Sequence, residues 1–139
     1  MTKNELSVAT CPSRRNHRSG TSNHLLQVQA QACAPIYEAF RQVPSSSYSS
    51  PTETIAEGIA ITSPPRVNEI ISAISESNGD VIAVSENEIL DAQRGLLQRG
   101  VDVEPTAAAT YAGYLALRKS GCIEDACVVV LTGAGLKSR

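Results

Sequence analysis

The chain has 139 residues, of which 42% are hydrophobic, 4% aromatic and 19% charged, with a formal net charge of −2 at pH 7. That is one domain's worth of chain, with an aliphatic core large enough to bury. A near-neutral balance without a basic face interleaved with aromatics argues against a nucleic-acid partner.

No stretch reaches the roughly 18 apolar residues that span a bilayer. Nothing near Met1 has the apolar core of a signal peptide. A cytoplasmic protein with no membrane partner is expected. The cysteines are Cys11, Cys33, Cys122 and Cys127. Only Cys122 and Cys127 are close in sequence, and His17 and His24 are far from both, so no metal site is expected. The thiols read as buried or idle in a reducing compartment.

Residues 1–24 hold little apolar content and a basic cluster of Arg14, Arg15, His17 and Arg18. They read as a poorly ordered arm ahead of a domain over 25–139. Leu25 to Ala30 is the first expected strand. Pro35 suits the first turn of a short helix ending at Phe40, and the Ser-rich run between Pro44 and Pro51 reads as a flexible loop. Thr54 to Ile61 puts Ile55 and Ile59 on one helical face. After Ser63-Pro64-Pro65, a second helix carries Val67, Ile70, Ile71 and Ile74 at i, i+3, i+4, i+7 spacing and stops at Asn78-Gly79.

Asp80 to Val84 is a short buried strand. Ser85 and Glu88 have capping-box spacing and start a helix that ends at Gly100. Val101 to Glu104 is a brief strand, and Pro105 opens a helix with Tyr111, Tyr114 and Leu115 on one stripe, ending at Gly121. A last strand runs through Val128-Val129-Val130-Leu131, whose lack of polar alternation fits a strand covered on both faces. The order predicts an α/β fold: a parallel sheet of about four strands flanked by helices, with crossover connections.

Thr132-Gly133-Ala134-Gly135 closes that strand. In open α/β sheets ligands sit outside the carboxyl ends of strands, and glycines let backbone approach a ligand. A dinucleotide site needs a helix after the glycines; with Arg139 four residues past Gly135, that reading is rejected. No nucleophile–base pair stands out. Glu104 lies where a strand meets a helix N-terminus, a place that stabilises anions, although simple capping accounts for it more economically.

Four blocks carry a more specific signal. They are Thr54-Ile55-Ala56-Glu57-Gly58-Ile59 through Pro64; Gly79 to Ile89; Gly100-Val101-Asp102-Val103-Glu104-Pro105-Thr106-Ala107-Ala108; and Val128 to Lys137. Together, with a weaker echo from Val28 to Phe40, they resemble the carboxyl-terminal part of the threonine synthases. These are pyridoxal-phosphate enzymes of the tryptophan-synthase-β-like group, fold type II. The resemblance covers about residues 25–137, and Ala134 stands where family members have His.

It implies pyridoxal 5'-phosphate as cofactor and conversion of O-phosphohomoserine and water to threonine and phosphate. Thr132 would hydrogen-bond the pyridine nitrogen, and Gly133 would let the backbone lie close to the ring. Glu104, Pro105 and Thr106 would line the same pocket. The chain's lysines are Lys3, Lys119 and Lys137; none has the setting of the family's Schiff-base lysine, and no glycine run forms a phosphate cup. No catalytic residue is therefore assigned.

The expected partners are a missing amino-terminal portion of the enzyme, or a second copy of the chain. Two other readings remain open here. One is a fragment of a threonine dehydratase-like or cysteate synthase-like enzyme. The other is a stand-alone α/β module that binds a partner or anion without catalysis.

Overall fold

A computed structural model describes residues 24–43, 53–123 and 127–137. The basic cluster, the Ser-rich loop, Lys3, Cys11 and His17 lie outside the described residues. The elements are β1 (Leu26–Ala30), α1 (Pro35–Arg41), a 3-10 turn (Glu57–Ile59), α2 (Val67–Glu76), β2 (Asp80–Val84), α3 (Glu86–Leu97), α4 (Pro105–Lys119) and a final 3-10 turn (Gly135–Lys137).

β1 and β2 pair in parallel, from Leu26 against Asp80 to Ala30 against Val84. Alternation along each strand sends side chains to opposite faces. Ala30 and Val84 join one cluster with Ile89, Ala92 and Leu96 of α3 and Ala108 and Ala112 of α4, with Val28 packed against it; Val81 joins the other, with Ile36 and Ile74. Helices therefore cover both faces, the condition under which parallel strands are stable. α4 sits down on the sheet at Gly113, where a Cβ would lie 2.6 Å from Val28 Cγ2 and 2.9 Å from Ile82 Cδ1.

The helix ends follow local chemistry. The Ser85 hydroxyl accepts from the Glu88 backbone N–H at 3.3 Å, and Glu88 Oε2 accepts from the Ser85 N–H at 2.7 Å, the expected capping box. α2 closes through Asn78 at φ 52°, with the Gly79 N–H donating to Ile74 O at 2.8 Å. Gly100 and Gly121 follow α3 and α4 at φ 81° and 71°, in the left-handed region that favours glycine. α1 is capped from outside: buried Gln29 Oε1 accepts from the Ile36 and Tyr37 N–H groups at 3.0 and 2.9 Å. Its far end is tied to β2 by Arg41 Nη2 on Asp80 Oδ1 at 2.6 Å.

Four expectations need correction, three of them concerning the sheet. The sheet has two strands among the described residues rather than about four. Residues 101–104 contribute only an isolated antiparallel bridge, Val103 to Ala134. Residues 127–133 are irregular, with Val128, Val130 and Leu131 90%, 62% and 38% exposed. The physical reason is shared: an apolar run becomes a strand only beside a strand to pair with, and the β1–β2 sheet does not extend to either segment.

Thr54 to Ile61 is not a helix but a single 3-10 turn. Its N–H groups are diverted to side chains. Ala56 N donates to Thr54 Oγ1 at 3.1 Å, Ile55 N to Glu86 Oε2 at 2.9 Å and Gly58 N to Thr106 Oγ1 at 3.2 Å. Side-chain acceptors of this kind compete with the helical ladder.

Candidate functional site

Parallel pairing places the carboxyl ends of β1 and β2 on one edge, where the chain leaves into the Gln31–Cys33 turn and into Ser85. Gln31 N still bonds Val84 O at 2.8 Å across that edge. The Thr54–Ile59 segment is fastened beside it, because Glu86 opens α3 and Thr106 lies in the first turn of α4. A Cβ at Gly58 would sit 2.8 Å from Thr106 Oγ1, so only glycine lets this contact form as it stands. Ala56 is fully buried beneath.

The glycine turn arrives at the same helix end. Glu104 N donates to Gly133 O at 3.2 Å, and Gly135 N to Asp102 O at 3.2 Å, flanking the Val103–Ala134 bridge. A Cβ at Gly133 would collide with the Glu104 carboxylate, and one at Gly135 with that of Asp102. The two glycines thus make room for two carboxylates.

Glu104 occupies the N-cap position of α4 at φ −70°, ψ 158°, yet its side chain makes no capping hydrogen bond. The simple capping expected from spacing is therefore not what its carboxylate does. It lies over Gly133 instead.

Of the residues singled out in the sequence, Gly133 and Glu104 touch, Pro105 is the first residue of α4, and Thr106 holds Gly58. Thr132 is adjacent and exposed, and among the described residues its hydroxyl has no hydrogen-bonding partner. Tyr111 and Tyr114 stack on α4 with centroids 5.8 Å apart.

Sequence reasoning missed Glu86, Asp102 and Gly58 as parts of this region. Gly58 carried a signal, since a glycine inside an expected helix often marks close packing; Glu86 and Asp102 carried none. One Oε atom of Glu86 is buried without a partner among the described residues.

Cys33 lies at the β1 end of the same edge. Burial raises its thiol pKa, and the nearby charge of Glu38 raises it further. Among the described residues, no three His, Cys, Asp or Glu cluster as metal ligands, and no helix is long and apolar enough to cross a membrane.

Residues 13–133 match the family described as pyridoxal-phosphate dependent enzyme. The match begins upstream of residue 25, where the resemblance read from the sequence starts. The chain is 38% identical over 115 residues to threonine synthase of Methanocaldococcus jannaschii, covering 79% of this chain and 28% of that protein. It is 36% identical over 114 residues to threonine synthase of Methanosarcina acetivorans, covering 79% and 28%. Against threonine synthase of Mycobacterium tuberculosis H37Rv it is 37% identical over 116 residues, covering 81% and 30%.

The chain thus spans less than a third of the length of these curated relatives. Family membership implies pyridoxal phosphate as the cofactor. With most of its length matched by that one family, the chain belongs to the pyridoxal-phosphate dependent enzymes.

Proposed function

We propose that this chain supplies one wall of the cofactor site of a threonine synthase, which converts O-phosphohomoserine and water to threonine and phosphate. The observation that carries the reading is the convergence of Thr132-Gly133 with Glu104-Pro105-Thr106 at the start of α4, in a chain whose named relatives are threonine synthases. The fit to pyridoxal phosphate is one-sided. An exposed hydroxyl without a described partner suits the pyridine nitrogen, but no phosphate-cradling glycine loop is present in the sequence.

When bound, the cofactor supplies an electron sink for carbanion chemistry. Thr132 offers its nitrogen a neutral hydroxyl. Unlike a carboxylate, that partner does not hold the nitrogen protonated. Glu104 fixes the Gly133 turn that presents Thr132, while Thr106 holds the Thr54–Ile59 segment alongside. Pro105 sets the first turn of α4 with no N–H left over.

The chain by itself does not turn over. Lys119 is at the far end of the 15-residue α4 from Glu104, about 20 Å away at 1.5 Å per residue. Lys3 and Lys137 lack the sequence setting of a Schiff-base lysine.

Two measurements test the reading. The chain with O-phosphohomoserine and pyridoxal phosphate releases no phosphate above the free-cofactor rate; turnover would refute its inactivity. Residues 24–137, exchanged for the corresponding segment of the Methanocaldococcus jannaschii enzyme, restore phosphate release, and Thr132→Ala in that chimera changes the absorbance of the bound cofactor. A chimera indifferent to Thr132→Ala removes the hydroxyl's role.

A further inference from the structure

We propose that Glu86 is a positioning residue for the cofactor site: its carboxylate sets where the Thr54–Ile59 segment lies against the first turn of α4. This rests on the cofactor reading and gives a role to a residue that the family resemblance left without one. Glu86 opens α3, whose start is already closed by the Ser85–Glu88 capping box. An acidic residue in a first helical turn is favourable in any case, but a solvated carboxylate would serve for that. The Glu86 side chain turns instead onto a segment 31 positions away, where Oε2 accepts from the Ile55 N–H at 2.9 Å. Its Oε1 is buried without a partner among the described residues. A carboxylate can accept about four hydrogen bonds, so burial with a single described donor is a cost to folding rather than a gain. The stability of α3 does not account for this arrangement. The placement of Ile55 does.

The segment has little else to fix it. Ile55, Glu57 and Gly58 are exposed, while Ala56 is a small anchor in the core cluster about which the segment can pivot. One hydrogen bond on each side of Ala56 sets that pivot: Ile55 N–H on Glu86, and Gly58 N–H on Thr106 Oγ1 at 3.2 Å. Bonds to a charged acceptor are the stronger kind, so Glu86 dominates. Thr106 lies two residues past Glu104, whose N–H donates to Gly133 O. The end of β2, the segment, the first turn of α4 and the glycine turn are thus connected in series. A shift at Ile55 is passed along that series to the turn that presents Thr132, because groups lining a site keep their geometry only when the residues behind them are locked.

Two substitutions separate reach from charge. Glu86→Asp keeps the negative charge at the start of α3 but is one methylene too short for Ile55. Glu86→Gln gives up the charge and keeps an oxygen at the same reach. In the 139-residue chain, amide exchange is followed by NMR, with circular dichroism as the control for folding. Ile55 should exchange roughly tenfold or more faster in Glu86→Asp, as expected on losing a hydrogen bond to a charged acceptor. It should return close to the wild-type rate in Glu86→Gln. In the chimera with the Methanocaldococcus jannaschii enzyme, the absorbance band of bound pyridoxal phosphate should shift in Glu86→Asp and return to the wild-type position in Glu86→Gln.

Fast exchange at Ile55 in both variants, or in neither, would overturn the proposal. A cofactor band that ignores Glu86→Asp would confine Glu86 to local structure and overturn this role alone. A chimera that binds no cofactor would overturn the cofactor reading, and this role with it.

Discussion

Two apolar runs in this chain have nearly the same composition and opposite fates. Asp80-Val81-Ile82-Ala83-Val84 is a strand with Val81 and Val84 essentially inaccessible, whereas Val128-Val129-Val130-Leu131 is irregular and largely exposed. The second has the higher density of β-branched residues. The first has what the second lacks, a parallel neighbour in β1 and helices on both faces. Strand propensity is therefore a statement about fit to a covered, paired surface, and composition alone does not deliver the surface.

The largest effect that tests this contrast comes from deleting side-chain volume on either side of it. Ile89 is fully buried against the sheet, while Leu136 is 76% exposed. Ile89→Ala should lower unfolding free energy by about 2–5 kcal/mol through lost burial and the residual cavity. Leu136→Ala should stay within about 0.5 kcal/mol. Urea denaturation of both variants measures the gap, and comparable losses would mean that the 127–136 segment is packed in solution.

A sharper version changes polarity without changing shape. Val81→Thr buries a hydroxyl between β2 and the α1–α2 layer, which should cost about 1–3 kcal/mol. Val128→Thr, at 90% exposure, should cost almost nothing in the monomer. If both are neutral, the second cluster around Ile36, Ile74 and Val81 is wetter than its packing indicates.

The parts legible in the sequence were those set by local chemistry. Ser85 and Glu88 announced α3, the proline at 105 announced α4, and the i, i+3, i+4, i+7 isoleucines announced α2. β2 matched its expected bounds, because an acidic residue after Asn-Gly and four apolar residues leave little choice. The outcomes at 54–61 and 127–131 depended on partners distant in the chain. Glu86 and Thr106 take N–H groups that a helix would have used, and no spacing rule points from Ile55 to a residue 31 positions on. The site was half legible for the same reason. Glu104 stands out at a strand–helix junction and Gly133 in the closing glycine turn, and the family resemblance assigns both to one pocket, but that the glycine makes room for the carboxylate is visible only in three dimensions.

That contact gives a prediction of intermediate size. Gly133→Ala forces the Glu104 carboxylate aside, and overpacking of this kind costs about 1–3 kcal/mol. The low end applies because Glu104 is only half-buried and its side chain can swing. Glu104→Ala in the same chain removes the obstacle, so the double variant should be more stable than the sum of the single losses implies. A double-mutant cycle in urea reads the coupling; strict additivity would separate the two residues.

The smallest expected effect contrasts a buried thiol with an exposed one. Cys33 is buried and its pKa is raised, first by burial and then by Glu38, whereas Cys127 is exposed. Because the thiolate is the nucleophile, iodoacetamide near neutral pH should label Cys127 well before Cys33. The stability consequence has a definite sign. In alkaline solution the unfolded chain releases the Cys33 proton while the folded chain still holds it, so the folded state binds more protons and stability falls as pH rises. The contribution is intact below the ordinary thiol range and disappears as pH climbs through the raised folded value. Cys33→Ala should flatten that part of the stability–pH curve while leaving the Cys127 labelling rate unchanged. A curve that keeps its alkaline slope in Cys33→Ala would assign the slope to another group.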